Sequence, residues 1–219
     1  MTLALMSSGG KDGTLALDRA RRQGLDVRWF ASIFEGNTGR VRFHGVPHQL
    51  VEAQARALGL EPRFTRTHPD TFEQAFARLL AELREGGCTG VLFGNIALAD
   101  VRAWYETRVT GAGLEHIELV WGEPSMELAY EVVERGYRAL VVSVHLGMRA
   151  VRFLGRELDA DLLTEIGITD DLDPCGERGE YHTFVFDGPE FRDPVGFTVG
   201  ERMEREGHRF LDLAPAPPI

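Results

Sequence analysis

The stretch Ser7–Gly13 (SSGGKDG) places two hydroxyl side chains, two adjacent glycines, a lysine and an aspartate next to one another. The apolar run Leu3–Met6 before it predicts a buried strand, and the apolar spacing in Thr14–Gln23 predicts a helix after it. Glycines in such a turn let the backbone approach an anion closely, and a helix N-terminus adds partial positive charge. Lys11, the only lysine in the chain, adds a mobile point charge. The stretch therefore predicts a phosphate-binding loop.

A purely structural interpretation of the same stretch is a tight turn in which Lys11 and Asp12 are solvated and Asp12 caps the helix. The strand–loop–helix context, and the single lysine inside the loop, favour the phosphate site. Two familiar phosphate motifs do not match, because GxGxxG is absent and no serine or threonine follows Lys11 directly, as GxxxxGKS/T requires. The loop is thus predicted to bind phosphate by a different pattern.

The segment Ser8–Asp12 (SGGKD) resembles the PP-loop of the ATP pyrophosphatases, whose usual pattern is SGG-x-D-S. That superfamily cleaves ATP between the α and β phosphates, adenylates an oxygen of the substrate, and lets a nitrogen or sulfur nucleophile displace AMP. Gly13 stands where the pattern has serine, and Thr14 is a candidate for the missing hydroxyl. The resemblance implies Mg-ATP binding, with Lys11 neutralising the leaving pyrophosphate and Asp12 binding the metal or orienting the loop. The predicted ATP-binding residues are Ser7, Ser8, Gly9, Gly10, Lys11, Asp12, Gly13, Thr14, Gly94 and Asn95.

Two later stretches also combine polar side chains with glycines. Gly94–Glu106 follows the predicted strand Gly90–Phe93, so Gly94 and Asn95 should lie at the same sheet edge as the first loop. The second stretch is Asp173–Pro189, which brings together seven residues that could take part in chemistry: Asp173, Cys175, Glu177, Glu180, Tyr181, His182 and Asp187.

Both stretches look like the ATP-binding family that includes the diphthine–ammonia ligases, which make the last amide of diphthamide on elongation factor 2. Arg102 and Glu106 match the arginine and glutamate of that family's second motif, whereas Trp104 replaces a second arginine. In the third motif, CGE-x-GEYET, His182 replaces a glutamate, and GEYHT looks like a bacterial branch of the family. The other matching residues and segments are Cys175, Gly176, Glu177, Gly179, Glu180, Tyr181, Thr183, His44–Pro47 (HG-x-P) and Gln54–Gly59 (QA-x-A-L-G).

The resemblance implies an ATP-dependent amide-forming ligase that adenylates an acceptor carboxylate, releases pyrophosphate, and then uses ammonia or an amine to displace AMP. ATP and Mg²⁺ are the implied cofactors, the acceptor is a small molecule or a protein, and a homodimer is left open. The implied catalytic residues are Lys11, Asp12, Glu180 and His182, and the implied acceptor-binding residues are Arg102, Glu106, Cys175, Gly176, Glu177 and Tyr181. Two alternatives remain: a PP-loop enzyme acting on a tRNA or a metabolite, and an ATP-binding sensor or partner subunit without turnover, which Gly13 favours.

Other residue patterns leave structural interpretations open. Cys175 is either a small buried residue or a thiol nucleophile with His182 as its base. Five further histidines lack metal-ligand spacing and are predicted to be structural or solvated: His44, His48, His68, His116 and His145. Three arginines are predicted to form the solvated face of the first helix: Arg19, Arg21 and Arg22.

The composition limits the class of protein. A net charge of −10 over 219 residues argues against a general nucleic-acid binder, which needs a basic face. Two distant cysteines, Cys88 and Cys175, fit neither a disulfide framework nor a zinc pattern, so a reducing cytoplasm is expected. The sequence contains no run of about 18 apolar residues, so no membrane-spanning helix is expected.

The elements that must position these residues alternate between strand and helix. The pattern predicts an α/β fold with a doubly wound parallel sheet (PP-loop/HUP, Rossmann-like), followed by a smaller α+β domain. Residues 1–122 would form the ATP-binding domain and residues 123–219 the acceptor-binding domain. The predicted strands are Leu3–Met6, Val27–Phe34, Pro62–Thr67, Gly90–Phe93, His116–Trp121, Ala139–His145 and Thr183–Asp187. The predicted helices are Thr14–Gln23, Pro47–Leu58, Thr71–Glu85, Asp100–Val109, Ser125–Arg135 and Asp159–Ile166.

Overall fold

The computed structural model describes residues 1–217, apart from the side chain of Pro69, so the last two residues of the predicted second domain lie outside it. Its strands are β1 (Thr2–Met6), β2 (Asp26–Glu35), β3 (Glu61–Thr67), β4 (Gly90–Phe93), β5 (Glu115–Glu118), β6 (Arg138–His145), β7 (Tyr181–Asp187), β8 (Phe197–Arg205) and β9 (His208–Pro215). Its α-helices are α1 (Lys11–Arg22), α2 (His48–Ala57), α3 (Phe72–Glu85), α4 (Ala99–Gly111), α5 (Ser125–Glu134) and α6 (Ala160–Gly167).

The first five strands form one parallel sheet in the order β3-β2-β1-β4-β5. Helices cover both faces, since Leu15 of α1 and Leu50 of α2 belong to one buried cluster and Phe76 of α3 and Val109 of α4 belong to another. The predicted doubly wound α/β sheet is therefore confirmed. The strand order reverses between β1 and β4, which is the point where open parallel sheets bind ligands at the carboxyl ends of their strands.

The last four strands form a separate antiparallel sheet in the order β7-β6-β9-β8. With α5 and α6 they make the predicted α+β arrangement in the C-terminal half. The predicted boundary at residue 122 falls between β5 and α5. Side chains from both halves nevertheless pack in one cluster, including Leu17 of α1, Leu128 of α5, Leu163 of α6 and Phe184 of β7. The two sheets are thus joined through a shared apolar core.

The hairpin of β8 and β9 has no counterpart among the predicted elements. Its two-residue turn is Glu206–Gly207, and both residues have positive φ (51° and 78°), which is the backbone of a type I′ turn. β8 lies at the edge of its sheet, and most of its residues are exposed. Phe197, Val199 and Met203 alternate with polar residues, but Gly200 and Glu201 interrupt the pattern, so the strand signal is weak there.

Two element ends differ from the prediction because of long-range contacts. α1 begins at Lys11 rather than Thr14, since the Lys11 backbone N–H donates to Oγ1 of Thr183 at 3.1 Å. β5 ends at Glu118 rather than Trp121. Beyond it, the chain turns away from the sheet, where the N–H of Gly122 donates to a carbonyl in the loop after β4. No helix among residues 1–217 is long and apolar enough to cross a membrane.

Two of the three arginines predicted to face solvent instead tie α1 to the C-terminal half. The Arg19 guanidinium donates to the carboxylates of Glu123 and Glu131, and Arg21 pairs with a glutamate in the segment after β7. Only Arg22 is exposed. The prediction was wrong for Arg19 and Arg21 because their partners lie 104 to 169 residues further along the chain.

Replacing Arg19 by alanine should lower the free energy of unfolding by about 1–3 kcal/mol, because charge-assisted hydrogen bonds are lost and two carboxylates lose their partner. Arg22→Ala is the matched control on the same helix and should change stability by less than about 0.5 kcal/mol. Urea unfolding of the full chain measures both. Equal, small effects for the two variants would show that the Arg19 network does not hold the halves together.

Candidate functional site

A cavity of about 520 Å³ opens at the carboxyl ends of β1, β2 and β4, where the strand order reverses. Its size lies within the range of pockets that hold small ligands. The predicted site residues that line it are Ser7, Ser8, Gly10, Lys11, Asp12, Gly13, Gly94, Asn95, Cys175, Gly176, Glu177, Tyr181 and His182. Five other predicted residues lie outside the lining: Gly9, Thr14, Arg102, Glu106 and Glu180.

The path of the glycine-rich loop is fixed by contacts from both halves of the chain. Gly9 has φ +88°, and its carbonyl accepts hydrogen bonds from the N–H of Val185 (2.9 Å) and from Nε2 of the buried Gln54 (2.9 Å). A Cβ on Gly9 would lie 2.9 Å from the Gln54 amide oxygen. Gly9 therefore shapes the loop without facing the cavity.

Two backbone donors at the start of α1 belong to residues that line the cavity. Gly10 is the N-cap, and the Asp12 and Gly13 N–H groups have no acceptor within residues 1–217. Free N–H groups and the dipole at a helix N-terminus bind anions. The Thr14 hydroxyl donates to the Gly10 carbonyl at 3.0 Å, so it is turned into the helix. Thr14 is therefore not placed to supply the hydroxyl that Gly13 lacks.

Lys11 is buried, with 2% of its side chain exposed. Its Nζ lies 3.0 Å from Oδ2 of Asp12, donates to the Cys175 carbonyl, and sits 5.2 Å from the centre of the Tyr181 ring. Burial alone would lower the pKa of Lys11, but the Asp12 carboxylate raises it above its ordinary value. The ammonium has three donors, so one remains for a ligand. The interpretation of a solvated turn is wrong, because Lys11 is buried and Asp12 is not the cap.

The loop between α6 and β7 covers the glycine-rich loop. Glu180 is fully buried, and its carboxylate accepts hydrogen bonds from the Asp173 N–H (2.8 Å) and the Arg178 N–H (2.9 Å). Glu177 lies at the cavity and accepts from the Ala97 N–H at 3.1 Å, which links this loop to the one after β4. Glu180 thus organises the covering loop from inside and does not face the cavity.

Cys175 contributes its backbone rather than its thiol. Its Sγ donates to the Ser125 carbonyl at 3.1 Å, and burial raises the pKa of the thiol well above its ordinary value. The thiolate that a nucleophile requires is disfavoured in such a position. Of the two interpretations, the geometry favours a small buried residue whose carbonyl holds Lys11.

A buried carboxylate that the sequence does not single out connects two predicted site residues. Glu118, at the end of β5, accepts from Nδ2 of Asn95 at 2.7 Å and lies 3.1 Å from Nε of Arg102. Arg102 also stacks on the Trp121 ring at 4.6 Å and lies 3.9 Å from Glu106. Arg102 and Glu106 therefore support Asn95 from behind rather than lining the cavity.

Two histidines stand together in the cavity wall. The rings of His44 and His182 are 4.5 Å apart, and Nε2 of His44 lies 2.8 Å from the Ser8 hydroxyl. Burial lowers the pKa of His44 to about 4 and also holds the pKa of His182 well below its ordinary value, with His44 and Lys11 adding to the effect. Both rings are therefore neutral at pH 7. Of the two predicted states of His44, structural or solvated, the burial of the ring and its hydrogen bond to Ser8 favour the structural one.

Metal ligation by the protein alone has little support in this part of the molecule. Across the described residues, no group of three or more histidine, cysteine, aspartate or glutamate side chains is arranged to hold a metal ion. Both cysteines are free and buried. A cation at this site would need ligands from a bound substrate as well as from the protein.

The SGGKD loop lies where the strand order of the parallel sheet reverses, and the cavity opens at this loop. These features define the chain as a PP-loop α/β protein. The family model for the diphthamide synthase N-terminal domain matches residues 1–116, and the model for the diphthamide synthase C-terminal domain matches residues 124–214. The chain therefore belongs to the diphthamide synthase family, which confirms the resemblance.

Named relatives agree along nearly the whole chain. It is 23% identical to the diphthine–ammonia ligase of Bos taurus, over 98% of this chain and 89% of that protein. It is 24% identical to that of Danio rerio, over 97% of this chain and 92% of that protein. A solved structure of a predicted tRNA methyltransferase subunit from Methanocaldococcus jannaschii covers 89% of this chain and 100% of its own, at 15% identity and a TM-score of 0.47.

The two low histidine pKa values predict acid sensitivity. Because the unfolded state binds these protons first, their stabilisation is fully present above about pH 6.5 and is lost as the pH falls towards about 4. The melting temperature should therefore fall over this window, and less steeply in His44→Asn and His182→Asn. The exposed His68→Asn is the control. An unchanged slope in both cavity variants would contradict the buried, neutral state.

Proposed function

We propose that the protein is an ATP-dependent amide-forming ligase of the diphthine–ammonia ligase type. The observation that carries the proposal is the buried Lys11 ammonium, which the Cys175 carbonyl of the C-terminal half contacts, in a cavity-lining residue that is followed in the sequence by two free N–H donors. Such a group is suited to a polyphosphate that must be held and then released as an anion. The family relationship supports the same chemistry.

The triphosphate would lie over the N-terminus of α1. The N–H groups of Asp12 and Gly13 and the third donor of Lys11 would contact its oxygens. Lys11 would neutralise the charge that grows on the leaving pyrophosphate. The residues fit Mg²⁺, because only one oxygen of the Asp12 carboxylate is engaged by Lys11, and Mg²⁺ takes one or two carboxylates together with phosphate oxygens. When bound, the ion would supply further charge neutralisation.

In the proposed reaction, a carboxylate oxygen of the acceptor attacks the α phosphorus, the bond to the bridging oxygen breaks, and pyrophosphate leaves. Ammonia or an amine then attacks the acyl carbon, AMP leaves, and the nitrogen loses a proton. His182 in the cavity wall would hydrogen-bond the incoming nitrogen, and the proton would pass to water, because the lowered pKa of the ring makes it a weak base. Asn95 and Glu177, which line the cavity, would contact the α-phosphate and the acceptor.

The remaining predicted residues take supporting roles in this proposal. Glu180 would position the covering loop, and Arg102 with Glu106 would fix Asn95 through Glu118. Gly176 has φ +72°, and a Cβ there would lie 2.5 Å from the Tyr181 carbonyl. The acceptor would contact the part of the cavity that the C-terminal half lines with Cys175, Gly176, Glu177 and Tyr181.

The products of turnover test the proposed reaction. The full chain is incubated with Mg-ATP, ammonium chloride and a panel of small carboxylates and of proteins that bear them, and ³¹P NMR identifies what forms. AMP and pyrophosphate in equal amounts are expected with the acceptor that works. ADP and phosphate would contradict the reaction, and intact ATP across the whole panel would favour the sensor alternative.

The role of Lys11 is tested by calorimetric titration of Mg-ATP, with GTP as the control nucleotide. The wild type should bind ATP at micromolar strength, about −8 kcal/mol. Lys11→Met keeps most of the apolar stem and removes the charge, so affinity should fall at least about tenfold. Arg22→Ala, an exposed cation removed from the same helix, should bind as the wild type does. Equal affinity for wild type and Lys11→Met would remove Lys11 from the site.

A further inference from the structure

A side chain at Gly13 would collide with Ser7 as it stands. A Cβ added to Gly13 would lie 2.5 Å from Oγ and 3.1 Å from Cβ of Ser7, and real Cβ atoms essentially never come within 3.0 Å of another heavy atom in this way. Gly13 belongs to α1 and has no positive φ, so the backbone conformation does not demand glycine there. The Ser7 side chain therefore occupies the space that a side chain at position 13 would need.

The Ser7 hydroxyl has an unused donor. Its Oγ accepts a hydrogen bond from the N–H of Gly9 at 3.0 Å, which fixes the position of the oxygen. Within residues 1–217, no protein group accepts the hydroxyl hydrogen. The side chain is buried and lines the cavity, next to the free N–H of Gly13. A phosphate oxygen at the start of α1 is the acceptor that this arrangement lacks.

We infer that the Ser7 hydroxyl is a phosphate-binding donor and replaces the hydroxyl that the PP-loop pattern has at the position of Gly13. The hydroxyl then comes from the end of β1 instead of the first turn of α1. This inference rests on the proposed function, because the ligand is the phosphate chain of a nucleotide. It also means that Gly13 is not a sign of a degenerate site.

Binding of Mg-ATP to the full chain tests the donor. Ser7→Ala should weaken binding by about tenfold, which is the order expected for one hydrogen bond to a charged group. Exchanging the two residues, as Ser7→Gly with Gly13→Ser, should restore binding to within about twofold of the wild type. Ser143→Ala is the matched control, because it removes a buried serine hydroxyl outside the cavity, and it should leave ATP affinity unchanged.

Thermal melts without nucleotide test the shared space independently. Gly13→Ser alone should lower the melting temperature, because its Cβ collides with Ser7, and the exchanged pair should recover most of the loss. If Gly13→Ser is as stable as the wild type, the two positions do not compete and the inference is overturned.

The binding outcomes separate the inference from the proposed function. If the wild type binds ATP and Ser7→Ala binds equally well, the inference fails and the ATP site stands. If Ser7→Ala binds weakly and the folded exchange variant binds equally weakly, the hydroxyl at position 13 does not substitute for Ser7 and the inference also fails. If the wild type binds no ATP, the proposed function fails together with it.

Discussion

The burial of the Lys11 ammonium is the constraint on which the site depends. A charge inside a protein is stable only where a counter-charge and hydrogen-bond acceptors surround it, and here Asp12 and the Cys175 carbonyl serve that purpose. Cys175 belongs to the C-terminal half, so the covering loop must lie on the glycine-rich loop for the ammonium to be satisfied. The single lysine of the chain therefore joins the two halves at the cavity.

This contact between the two halves gives the cavity two chemically different walls. The N-terminal half contributes free N–H donors at the switch point of the parallel sheet, and the C-terminal half contributes the neutral ring of His182 and the covering loop. Arg19 and the shared apolar core hold these walls together at a distance from the cavity. Residues of both halves, and so of both matched family domains, therefore line the same cavity.

Local patterns were sufficient to predict the parallel sheet, its helices and the position of the glycine-rich loop, because periodic apolar residues and glycines signal these features directly. Features set by distant contacts were not predictable from local patterns. Glu118 is a lone acid in a short strand, and the apolar alternation of the exposed strand β8 is interrupted, so neither carries a strong signal. His44 does carry a sequence signal, since the segment HG-x-P matches the family. Its position beside His182, however, is visible only in the fold. The roles of Arg102 and Glu180 behind the lining likewise depend on tertiary contacts.

The most direct measurement uses the fact that Lys11 is the only lysine. In protein labelled with ¹³C at the lysine ε carbon, one side-chain signal reports the ammonium at the centre of the site. The signal should keep the shift of a charged amine above pH 10.5, because Asp12 raises its pKa, and it should move when Mg-ATP is added but not when Mg-GTP is added. A signal that titrates as an exposed lysine does, or that ignores Mg-ATP, would contradict both the buried ion pair and the ATP site.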